Sequence, residues 1–140
     1  MKITDVKAYV VNPPLPEYGS SSEREWTFVQ IDTDEGITGW GEATNYPGGG
    51  SFLTAQAVLM LKKILVGEDP AQIEPLWHKM FRQYTYLGAR GLPTTAISGI
   101  DIALWDIKGK ALGQPIYDLL GGKFRDSIRL YANGWFGDCE

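Results

Sequence analysis

This sequence is short of the residues that most often carry chemistry unaided. It has one cysteine and one histidine in 140 residues. A lone Cys139 excludes an internal disulfide, and with it a disulfide-stapled secreted scaffold. His78 stands beside Trp77 and Lys79 with no second His or Cys near it as a metal ligand, and it reads as an ordinary helix-face residue. No window approaches the roughly 18 apolar residues of a membrane span. No apolar stretch follows Met1-Lys2-Ile3-Thr4-Asp5, so no signal peptide is visible. Basic residues are outnumbered, 13 Lys+Arg against 17 Asp+Glu, and no basic stripe breaks the net charge of -4. Nucleic acid and anionic membrane are therefore poor candidates for partners. With 44% hydrophobic and 21% charged residues, the composition is that of a packed, cytoplasmic globular chain. Its length suits one ordinary domain.

Two periodicities divide that domain. Lys2–Val11 alternates imperfectly and predicts a first strand, ended by Asn12-Pro13-Pro14. Leu15–Glu25 holds Pro16, Gly19 and Ser20-Ser21-Ser22 and has neither period, so it reads as a long mobile loop of the kind that often serves function. Trp26–Thr33 alternates again and is rich in aromatic and β-branched residues. Asp34-Glu35-Gly36 predicts a turn, and Ile37–Thr44 a return strand. Within that strand Gly39 and Gly41 flank Trp40, which suggests a close backbone approach or a bulge. Tyr46–Gly50 predicts a second loop.

From Ser51, read as an N-cap, the period becomes helical. Leu53, Ala57, Leu61 and Leu65 recur every four residues, and Gly67 suits a C-terminal cap. Asp69-Pro70 reads as an N-cap followed by a proline at the first helical position. Pro75 starts a fresh helix with Ile73, Leu76, Trp77, Met80, Phe81 and Tyr84 on its apolar face. The strongest helix is Thr94–Leu112. There Ile97, Ile100, Leu104, Ile107 and Ala111 are spaced three and four apart, and Asp106 is four before Lys110. Gly113 and Pro115 stop it. Ile116–Leu120 is a short helical turn closed by Gly121-Gly122, and Ser127–Trp135 returns to strand alternation. Three strands, then helices, indicate an α+β fold for residues 1–125: an antiparallel meander followed by a helical bundle. The final strand has no partner nearby in sequence.

Few of these residues form a self-contained catalytic set. Asp101 and Asp106 are five apart on one helix and face different ways, so ion pairing at the helix surface is favoured over an acid–base pair. Glu42 lies between Gly41 and Ala43, where a buried or interface structural role is favoured over catalysis. Gly48-Gly49-Gly50 lacks the Lys-Ser/Thr of a phosphate-binding loop. No catalytic residue and no metal ligand is assigned.

Three stretches in order carry a resemblance: Asp34-Glu35-Gly36-Ile37-Thr38-Gly39-Trp40-Gly41-Glu42-Ala43, then Ala96-Ile97-Ser98-Gly99-Ile100-Asp101-Ile102-Ala103-Leu104-Trp105-Asp106-Ile107-Lys108-Gly109-Lys110, then Gly113-Gln114-Pro115-Ile116-Tyr117-Asp118-Leu119-Leu120-Gly121-Gly122. Together they resemble the N-terminal part of the enolase superfamily in its mandelate racemase/muconate lactonizing enzyme branch, with the best likeness to sugar-acid dehydratases. The resemblance implies an α+β capping domain over residues 1–125 and the first strand of a (β/α)7β barrel over 126–140, the rest of the barrel being absent. It also implies that Leu15–Glu25 and Tyr46–Phe52 close over the barrel mouth and select the substrate. Candidate substrate contacts are then Tyr18, Ser20 and Arg24 in the first loop, Asn45 and Tyr46 at the second, and Asn133 at the strand end where barrel enzymes place their chemistry.

The implied parent is a Mg²⁺-dependent enzyme that removes the proton α to a carboxylate, an acid-sugar dehydratase. A racemase, epimerase or cycloisomerase of the same family, or a non-catalytic cap-like module, are the alternatives. Its partners would be its own barrel domain and a small carboxylate substrate, in a homo-oligomer. The base and the Mg²⁺ ligands of the family lie on later barrel strands, so the 140-residue chain alone is expected to be inactive and to bind no metal.

Overall fold

A computed structural model describes residues 1–12, 25–44, 50–88 and 90–131. The strands β1 (Ile3–Val11), β2 (Trp26–Thr33) and β3 (Thr38–Glu42) form an antiparallel sheet in the order β1-β2-β3. The meander expected from the alternation is therefore present. Its second hairpin turns at Gly36, whose φ of 78° is the left-handed backbone that favours glycine. Among the described residues four helices follow: α1 (Gly50–Leu65), α2 (Ile73–Gln83), α3 (Leu92–Leu112) and α4 (Ile116–Leu119).

The helices cover one face of the sheet. In register, Val29 opposes Gly41 and Ile31 opposes Gly39, and these residues point inward with Val6. Helix α3 packs on β3 and β2, α1 packs on β1, and α2 backs onto α3. Leu61, Leu65, Met80, Ile97, Ile100, Leu104 and Ile107 fill the space between. Glycine explains how closely α3 approaches. A β-carbon on Gly39 would lie 2.2 Å from the Ala103 carbonyl oxygen, and one on Gly41 would lie 2.0 Å from that of Gly99. The two glycines flanking Trp40 thus meet the close-approach expectation.

The outer face of the sheet is a polar and aromatic network. Asp32 accepts hydrogen bonds from Lys7 at 2.7 Å, Gln30 at 2.7 Å and Thr38 at 2.9 Å. The Tyr9 hydroxyl donates to Gln30 at 2.9 Å, and its ring tilts against that of Trp40.

Several local expectations are corrected. Ser51 is not the N-cap of α1, because the helix already includes Gly50 and the Ser51 hydroxyl instead donates to the Glu25 carbonyl at 3.3 Å. Leu53 is exposed. The inward stripe of α1 runs through Thr54, Val58, Leu61 and Leu65. Steps of four overshoot a helical turn, which leaves Leu53 about 120° around the helix from Leu65. Asp69 and Pro70 do not open a helix: Asp69 closes a turn by accepting from Gln72 N at 3.1 Å and Ala71 N at 3.0 Å, and α2 begins at Ile73. Phe81 is exposed, stacked on Trp77, while Ile73, Leu76, Met80 and Tyr84 are buried as expected. Ala111 is exposed, beyond the point where Lys110 reaches β3. Glu42 is exposed on β3, not buried in this chain. The expected strand Ser127–Trp135 is not formed over residues 127–131, and its remainder lies outside the described residues. A strand without a neighbour has no ladder to complete.

Candidate functional site

The antiparallel register determines where the two candidate loops leave the fold. Val11 at the end of β1 pairs with Trp26 at the start of β2, and Phe28 pairs with Glu42 at the end of β3. The strand termini that flank segments 13–24 and 45–49 therefore stand at one end of the sheet. The expected contacts Tyr18, Ser20, Arg24, Asn45, Tyr46 and Asn133 all fall outside the described residues. What the structure does describe are the residues that flank segments 13–24 and 45–49, which hold the first five of them.

A small buried polar cluster joins those roots. Ser51 Oγ donates to Glu25 O at 3.3 Å, and Thr27 Oγ1 donates to Ser51 O at 3.2 Å. Thr27 N donates to Thr44 Oγ1 at 3.2 Å, and Ala43 N to Thr27 O at 2.8 Å. Thr27 and Ser51 are fully buried. The cluster links the start of β2, the two residues just past β3 and the first turn of α1. Buried hydroxyls need partners, and here each partner lies on another of these elements. Sequence reasoning missed Thr27, Thr44 and Ser51 in this role. The signal available was polar residues at the inward positions bordering two loops. Beside them, the Glu25 carboxylate oxygen Oε2 is sealed from solvent with no hydrogen-bond donor among the described residues. At the same end, Phe52 and Leu53 are exposed at the start of α1.

Other titratable groups serve the scaffold. Asp106 accepts the Trp40 N–H at 2.8 Å and pairs with Lys110 at 2.7 Å. Asp101 lies elsewhere on α3, with its carboxyl held above the usual range by burial and then by the charge of Glu74 on α2. The two aspartates are thus on different faces, as their spacing requires, although among the described residues only Asp106 of the two is engaged in an ion pair. His78 is exposed and lines an open groove of about 430 Å³ with Pro75, Lys79 and Arg82. Lys79 bonds Glu68. Among the described residues no three of His, Cys, Asp and Glu stand together to hold a metal ion. They do not make a Mg²⁺ site. No helix among them is long and apolar enough to cross a membrane.

A three-stranded antiparallel sheet followed by helices is consistent with what comparison to known proteins finds. The family model described as mandelate racemase / muconate lactonizing enzyme, N-terminal domain, matches residues 2–121. The chain belongs to this family. It is 45% identical over 137 residues to a D-galactonate dehydratase of Variovorax paradoxus (strain S110), covering 98% of this chain and 32% of that protein. A crystal structure of an enolase-superfamily member from Salmonella Typhimurium superimposes with a TM-score of 0.77 at 41% identity, covering 94% of this chain and 32% of the other. The 3,6-anhydro-D-galactonate cycloisomerase from Zobellia galactanivorans does so with a TM-score of 0.75 at 34% identity, over 87% of this chain and 32% of the other. The fold is thus the family's α+β N-terminal domain. The chain spans about a third of the length of the curated relatives it matches.

Proposed function

We propose that residues 1–125 are the substrate-closing cap of an enzyme that removes the proton α to a carboxylate, and that the whole enzyme dehydrates an acid sugar. The observation that carries this reading is the 45% identity to a D-galactonate dehydratase across nearly the whole chain. The strand termini Val11, Trp26 and Glu42, which flank segments 13–24 and 45–49 at one end of the sheet, support it, because two segments rooted together suit closure over one ligand. Tyr18, Ser20, Arg24, Asn45 and Tyr46 supply hydroxyl, amide and guanidinium groups, a set suited to a polyhydroxylated carboxylate. Closure would exclude water from the developing charge, where fixed dipoles act most strongly. In this reading residues 126–140 begin a barrel, and Asn133 sits at its first strand end. The general base and the ligands of a Mg²⁺ ion belong to polypeptide outside this chain. The cycloisomerase relative keeps ring chemistry as the second reading.

The test is turnover by the gene product that includes any coding region beyond Glu140. Supplied with D-galactonate and related sugar acids, it should release a 2-keto-3-deoxy acid and lose activity on chelation of Mg²⁺. Arg24→Ala should lower kcat/KM on sugar acids about 10-fold or more, the scale of losing one charge-assisted contact. Isomerised product without loss of water would replace dehydration by the second reading. A fully active Arg24→Ala variant would remove Arg24 from the substrate contacts.

A further inference from the structure

One buried group has no use in the fold. Among the described residues, Glu25 Oε2 is the one buried side-chain nitrogen or oxygen without a hydrogen-bond partner. Other carboxylates of the scaffold are well supplied. Asp32 accepts from Lys7, Gln30 and Thr38, and Asp106 accepts from the Trp40 N–H and from Lys110. A sealed carboxylate oxygen without a donor costs folding free energy, because it has lost water and gained no replacement. Such orphans are rare in native proteins, and each calls for a reason.

The place of Glu25 supplies one. It directly precedes Trp26, which pairs with Val11, and its carbonyl accepts from Ser51 Oγ in the first turn of α1. Glu25 thus borders segment 13–24 and is tied to the helix that follows segment 45–49. It stands between the two segments read above as closing over the ligand.

We infer that Glu25 is a specificity-determining residue: its Oε2 accepts the terminal hydroxyl of a sugar acid with one carboxylate, and its charge repels a diacid that carries a second carboxylate there. This rests on the reading of the chain as the cap of a sugar-acid enzyme. In that reading the carboxylate and α-carbon of the substrate meet the base and the cation, which belong to polypeptide outside this chain. The cap is left with the far end of the substrate. A carboxylate at that end requires a donor, and the terminal CH2OH of an aldonic acid offers its O–H. The diacid offers an ionised carboxylate instead, which has no proton to donate at neutral pH. Repulsion between the two carboxylates is strong where Oε2 is shielded from water. One attraction and one repulsion at a single atom then discriminate between the two acids.

The test uses the gene product that includes any coding region beyond Glu140, with D-galactonate, 6-deoxy-D-galactonate and D-galactarate as probes. Wild-type kcat/KM should be about 10-fold or more higher on galactonate than on either of the others, the scale of one hydrogen bond to a charged group. Glu25→Gln keeps an acceptor of the same shape and removes the charge. It should raise kcat/KM on galactarate about 10-fold or more and lower that on galactonate no more than about 5-fold. Glu25→Ala should lower kcat/KM on galactonate about 10-fold or more but on the 6-deoxy acid no more than about 2-fold, since that acid lacks the hydroxyl. Equal losses on all three probes overturn the inference, because Glu25 would then only support the fold. So does a galactarate-to-galactonate ratio that Glu25→Gln leaves unchanged, and so does a wild-type preference for galactarate. Calorimetric binding of the same probes decides the case without turnover. Selective binding of galactonate that Glu25→Gln relaxes keeps the inference and removes the dehydratase reading, whereas absence of binding by every probe overturns both.

Discussion

The carboxylate of Asp106 accepts the backbone N–H of Trp40 at 2.8 Å, across 66 residues of sequence. Lys110, one turn further along α3, bonds both Asp106 and the Thr38 carbonyl, each at 2.7 Å. Two residues spaced for a helical ion pair therefore clamp the free backbone edge of β3 to the helix that covers it. The pair does more than brace its own helix, because strand edges otherwise offer unpaired donors and acceptors.

Asp106→Ala should destabilise the domain by about 1 kcal/mol, the scale of one charge-assisted hydrogen bond at a partly exposed site. Lys110→Ala should cost less, about 0.5 kcal/mol, because an exposed ion pair contributes little. Urea denaturation of both single variants and the double variant measures this. A double variant equal to the sum of the singles would show that the two side chains do not act together.

Glycine-to-alanine substitutions should separate two mechanisms. Gly41→Ala drives a β-carbon into the Gly99 carbonyl, a backbone atom that cannot turn aside, and should cost about 1–3 kcal/mol or more. Gly36→Ala meets open space but a φ of 78°, and should cost about 1 kcal/mol. Gly36→Asn should recover part of that loss, since asparagine tolerates this backbone. A neutral Gly41→Ala would contradict the close packing of α3 on β3.

On α1, Leu61→Ala should cost about 2–5 kcal/mol and Leu53→Ala no more than about 0.5 kcal/mol. Both positions belong to the same four-residue spacing, but Leu61 is fully buried and Leu53 is 58% exposed. Comparable losses from thermal denaturation would mean that Leu53 is covered after all.

Acid titration should reveal carboxylates of opposite sign. Asp32 is held below the ordinary value mainly by the hydrogen bond from Lys7, with further help from Gln30 and Thr38, and Asp5 by that from Lys62. Their contributions are present above the unfolded carboxyl value, about 4, and are lost as pH falls through the lower folded values. Asp101 is raised by burial and by Glu74, so its charge opposes folding at neutral pH, and that cost disappears as pH falls through its raised folded value. Asp101→Asn should therefore raise Tm at pH 7 and change little below about pH 3. Asp32→Asn should lower Tm at pH 7, with the deficit shrinking in acid. An Asp101→Asn gain of equal size at both pH values would rule out the burial of its charge as the cause.

What could be read from the residues alone was whatever depends on near neighbours in the chain. The alternation of Trp26–Thr33 specified a strand, and the structure has it with the expected ends. The three-four spacing from Ile97 to Ile107 specified one buried face of α3, and all four residues are in the core. Gly39 and Gly41 announced a close approach, and the shared motifs announced the family, now matched over residues 2–121. Tertiary structure alone decided the rest. Which residue met Gly41, that Asp106 would bond a strand 66 residues away, that Ser51 would tie loop roots instead of capping its helix, and that Leu53 would fall off the stripe all depend on how elements are rotated against one another. The strand expected at Ser127 shows the same limit. Alternation states a preference for extended backbone, but a strand is completed by its neighbour's hydrogen bonds, and residues 127–131 meet no such neighbour among the described residues.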